Sequence, residues 1–160
     1  MHIFISEDIE YYDEDGEGVY KGVFSLYDFL NKLRLKMVVA AQSVYDNWQQ
    51  EEDDDTGGIC HDIADAMASV VYQNSPKNEK VSTFGFRDDS QCHNWFVAYH
   101  PASKQMYEVD IPFYHYEIGG GYNWKKINDV KFTPNHIMIR PFLGDYDEWV
   151  DEDGNPIDQY

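Results

Sequence analysis

Cysteine is almost missing from this chain: Cys60 and Cys92 are its only two. Two cysteines build no disulfide framework, and in a reducing compartment both are expected as free thiols, a single bridge between them being the remaining alternative. The paired cysteine spacing that holds zinc does not occur. Bases are scarce as well, with 12 Lys and Arg against 30 Asp and Glu and a formal net charge of −18. Such a balance repels phosphate backbones and argues against a DNA or RNA binder. No apolar run approaches the roughly 20 residues of a membrane span, so no membrane partner is expected. The opening stretch MHIFISEDIEYYDEDGEG lacks the basic start and apolar run of a secretory signal, which points to the cytoplasm. Phosphate loops and dinucleotide fingerprints are missing too.

What the chain does have is a composition that can build a core. Hydrophobic residues make up 42% of its 160 residues and aromatics 16%, which argues against a disordered chain. That length is read most economically as one domain, residues 1–160, with acidic loops at 7–17, 51–55 and 145–158. MHIFI is expected as a starting strand. Ser25 can cap a long helix from about 26 to 50, whose apolar positions from Leu26 to Tyr45 recur at three and four. EEDDDTGG interrupts it. A second helix, about 59 to 73, gathers Cys60, Ile63, Ala64, Met67, Val70 and Val71 on one face. Beyond NSPKN the period changes to that of strands. VSTFGFR, HNWFVAYH and QMYEVDI read as three, and KFTP with HIMIRPF supplies one or two more. Helices followed by strands predict an α+β fold, the long N-terminal helix and the cysteine-bearing helix packing on an antiparallel sheet.

The chemistry gathers around that cysteine. TGGICHDIADAM sets Cys60 at the start of a helix, where the dipole favours a thiolate. PASK, between HNWFVAYH and QMYEVDI, has the length of a hairpin turn. Folding the two strands about Ala102–Ser103 brings His93 opposite Ile111 or Pro112, at the same sheet end as Asp110. Asp110 can then accept from one imidazole nitrogen while the other faces a thiol. Cys60, His93 and Asp110 would form a complete nucleophilic triad. Taken singly, each has a plainer role: Cys60 as a small core residue, His93 as a satisfied strand histidine, Asp110 as a turn starter. Cys92 alternates to the other strand face and reads as inert core. His93, His100, His115 and His136 with Asp110 match no zinc signature, so no metal is expected. Gln49, Gln50 and Trp48, with the Cys60 backbone N–H, are candidate oxyanion donors.

GGICHDIADAM, HNWFVAY and YEVDIP, in that order, resemble the transglutaminase-like branch of the papain-like cysteine enzymes over residues 57–112. The chain departs from the family pattern at His61, where Trp or Arg is usual, and at Ile111, which separates Asp110 from the proline. The resemblance implies a papain-like core and a cysteine-dependent hydrolase or acyl-transfer enzyme acting on an amide-type substrate as peptidase, amidase or deamidase. Cys60 would be the nucleophile, His93 the proton carrier and Asp110 its orienting partner, with no cofactor. The partner expected is a protein or peptide substrate, a basic one suiting the acidic surface. The alternative is a non-catalytic acidic binding protein, such as a phage- or plasmid-borne inhibitor of a basic, nucleic-acid-binding partner.

Overall fold

Hydrophobic period divides the chain as its folding does, with helices before position 80 and the main sheet after it. The structure, a computed structural model, describes residues 9–12, 18–20, 23–48, 59–88, 93–111 and 131–143. A small antiparallel hairpin comes first, β1 (Ile9–Tyr12) with β2 (Gly18–Tyr20). The acidic stretch 7–17 is therefore part strand, whereas the strand expected over MHIFI lies outside the described residues. Next come α1 (Leu26–Lys32), α2 (Arg34–Asp46) and α3 (Cys60–Gln73). Strands β3 (Ser82–Asp88), β4 (His93–His100), β5 (Gln105–Asp110) and β6 (Met138–Pro141) form an antiparallel sheet in sequence order. KFTP is no strand; a single 3-10 turn, Pro134–His136, precedes β6. The fold is thus α+β, three helices on a four-stranded antiparallel sheet. No helix among the described residues is long and apolar enough to cross a membrane.

The expected long N-terminal helix is two helices. Ser25 does cap the first, its hydroxyl accepting from Asp28 N at 3.2 Å. At Leu33 the backbone leaves helical values (φ −91°, ψ 0°), and its N–H bonds three residues back to Leu30 O instead of four. The two pieces answer to different neighbours. Gln105 accepts from Leu26 N at 3.0 Å, tying α1 to the start of β5, while α2 lies against α3 and the 3-10 turn. Arg34, the first residue of α2, donates to Pro134 O at 3.1 Å and Ile137 O at 2.5 Å. Periodicity survives the break because Leu30, Leu33 and Met37 are all fully buried on either side of it. Tertiary contact decides where the axis turns.

The main core lies between helices and sheet. Ile63, Met67 and Val71 of α3 meet Phe96 and Ala98 of β4 and Val109 of β5 there. Ala64 of the same helix is buried as well. The other sheet face carries a smaller cluster, Phe84, Val97 and Tyr99, with Phe86, Met106 and Phe142 against it. Strand β4 is consequently buried on both faces, which is why HNWFVAYH shows no clean alternation of polar and apolar residues. Its pairing with β5 runs from Phe96–Val109 to His100–Gln105 and centres between Ala102 and Ser103, the predicted register. Lys104 closes the turn at φ 60°, in the left-handed region.

Arg34→Met keeps the aliphatic stem but leaves two carbonyls without their guanidinium donor. Urea unfolding should show a loss of about 1–3 kcal/mol, the usual cost of leaving buried acceptors without their donor. An unchanged midpoint would mean that Arg34 does not fasten the 3-10 turn to α2.

Candidate active site

Cys60 is the first residue of α3, and Ile59 before it provides no side-chain cap. The sulfur therefore stands at the positive end of a 14-residue helix. Below that end the sheet presents the first residue of β4, His93, and the last of β5, Asp110. His93 Nε2 lies 2.9 Å from both Asp110 carboxylate oxygens. Little of the pair reaches solvent, 6% of the histidine side chain and 17% of the aspartate's. The His93 ring stacks on Trp95 at 5.7 Å between centroids, which fixes its plane. Cys60, His93 and Asp110 line one crevice with Asn94, closed on its apolar side by Ile63, Ala64, Met67 and Ile111. Its free volume, about 10 Å³, is near the least that a single water molecule needs.

The electrostatics follow from this placement. Burial alone would make the imidazolium harder to form. Hydrogen bonding to Asp110 and Cys60, with the electrostatic attraction these partners exert on the ring, outweighs it and raises the His93 pKa from 6.5 to about 9. His93 is thus charged at neutral pH, and an imidazolium beside a sulfur at a helix N-terminus is the setting that favours a thiolate.

The three residues singled out in the sequence are brought to one place. Asn94 was missed. Strand parity is the signal that would have found it: 94 shares the helix-facing side of β4 with Phe96 and Ala98, so its carboxamide must meet α3. Asn94 Nδ2 donates to Cys60 Sγ at 3.5 Å. Of the candidate oxyanion donors, Gln49 and Gln50 lie outside the described residues, and Trp48 is buried beside Tyr45, away from the crevice lining. Cys92 and His115 also lie outside them. Two of the histidines weighed as metal ligands make other contacts. His100 contacts Glu79 Oε2 at 2.6 Å and Ser103 Oγ at 2.5 Å, and His136 Nδ1 accepts from Thr133 N at 3.0 Å. A scan against protein-family models finds no matching family, and searches of curated proteins and of solved structures find no match either.

Folding raises the His93 pKa, so the stability it contributes is present below pH 6.5 and is lost as pH rises through 9. The loss should amount to roughly 3 kcal/mol by proton linkage. Urea unfolding of the wild type across that window should show the slope, and Asp110→Asn should flatten it. A slope as steep in Asp110→Asn would assign it to some other group.

Proposed function

We propose that the chain is a cysteine-dependent hydrolase or acyl-transfer enzyme of the transglutaminase-like, papain-like kind, acting in the cytoplasm on an amide-type substrate. The observation that carries this reading is the sharing of one crevice by the Cys60 sulfur and the buried His93–Asp110 pair. Asp110 holds Nε2 and fixes the ring. The imidazole, hydrogen-bonded to Cys60 as well as to Asp110, exchanges a proton with the sulfur. The Cys60 thiolate adds to the carbonyl carbon, and the carbonyl electron pair moves onto oxygen. Collapse breaks the C–N bond, and the amine departs with the proton that His93 supplies. Water then adds to the thioester while His93 takes its proton, and the acid leaves as the C–S bond breaks. An amine in place of water gives transfer. The Cys60 backbone N–H, at the open helix end, serves the developing oxyanion.

The charge favours a second reading. With −18 spread through runs such as Glu51 to Asp55, the chain could act by binding a basic partner without catalysis. The enzyme reading predicts fast, selective alkylation of Cys60 by iodoacetamide near neutral pH, followed by intact mass and peptide mapping. Cys60→Ser should fold and lose that label, and His93→Ala should slow it by about tenfold or more. Equal rates in wild type and His93→Ala would remove the imidazole from the chemistry.

The binder reading makes the opposite forecast for function. Cys60→Ala would keep the full biological effect, and neutralising Glu51 to Asp55 would abolish it, with association weakening as salt rises. An effect lost in a folded, partner-binding Cys60→Ala protein would exclude the binder.

A further inference from the structure

One polar side chain in the crevice has no part in the steps above. Asn94 is 7% exposed, and its Nδ2 reaches the sulfur. Its Oδ1 is buried and meets no donor among the described residues. Position 94 faces α3 beside Phe96, where an aliphatic residue would pack without loss. A carboxamide there gives up its hydration for one hydrogen bond to sulfur, a weak acceptor, and leaves a carbonyl unmatched. Buried acceptors of this kind need a donor, and the crevice is where one can arrive.

We propose that Asn94 makes the site selective for carbonyl compounds bearing an N–H. Nδ2 holds the sulfur, and Oδ1 accepts the N–H of a primary or secondary amide entering the crevice. Esters and tertiary amides leave that acceptor unpaired and are disfavoured. This inference rests on Cys60 being the nucleophile, as proposed above. It adds a recognition element that the triad does not contain. Because a donor seated on the attacking sulfur is two bonds from the oxygen that becomes the oxyanion, Nδ2 is also placed to follow the charge as it moves.

The test uses two alkylating probes on the full chain, iodoacetamide, which carries N–H, and 2-iodo-N,N-dimethylacetamide, which does not. The ratio of their rates at Cys60 is divided by the same ratio for glutathione. Wild type should favour iodoacetamide by about tenfold or more, and Asn94→Leu, its fold checked by circular dichroism, should show almost no preference. Asn94→Asp keeps the acceptor and loses the donor to sulfur. It should retain the preference while both absolute rates fall, a split that a packing role would not produce. The inference is overturned if wild type shows no preference beyond glutathione's, or if folded Asn94→Leu keeps it. Should Asn94→Leu fail to fold, loss of the preference in Asn94→Asp overturns it, and retention supports it. High absolute rates without a preference would sink the Asn94 inference alone. Low rates with an Asn94-dependent preference would sink the nucleophile and leave amide recognition standing.

Discussion

The contact between His93 and Asp110 depends on one constraint, the register of the β4–β5 hairpin. Centring the turn between Ala102 and Ser103 brings the first residue of one strand and the last of the other to the same end of the sheet. Everything above that end follows. The apolar stripe of α3 has to lie on Phe96, Ala98 and Val109, and its N-terminus then arrives over the pair. A turn of different length would leave the same residues in the chain and no crevice between them. The site is an outcome of pairing as much as of residue choice.

Much of this was legible in the sequence because it rests on local signals. TGG before a periodic run marked the start of α3 to within a residue, and PASK fixed the hairpin centre. What escaped depends on distant contacts. Leu33 continues the helical period without a glycine or proline, so nothing local announces the break. The competing demands of Gln105 on α1 and of the 3-10 turn on Arg34 create it. Strand IEYY was hidden in an acidic stretch whose charge suggested a loop. Asn94 was overlooked for a different reason. Attention to His93 as the chemical residue obscured the parity that turns its neighbour toward the helix.

Two forces of opposite character meet at the crevice. Burial penalises charge at His93, and the same burial strengthens every attraction that Asp110 and Cys60 exert on it, so the imidazolium is kept. The crevice lies between α3 and the sheet end, with Met67 and Ile111 forming part of its wall. A polar carbonyl would find there a helix terminus, an imidazolium and a carboxamide, with apolar carbon filling the remainder.

Histidine–carboxylate pairs pin β4 to both of its flanks. His93 ties it to Asp110 on β5, and at the other end His100 ties it to Glu79 in the segment leading into β3. Hydrophobic patterning punishes a slip of one residue but is nearly blind to a slip of two, which returns each side chain to its own face. A two-residue slip would carry either histidine about 7 Å from its carboxylate. It would strand buried polar groups at both ends of the central strand. The two hydrogen-bonded pairs thereby supply the discrimination between the native alignment and its nearest mimic that apolar packing alone leaves weak.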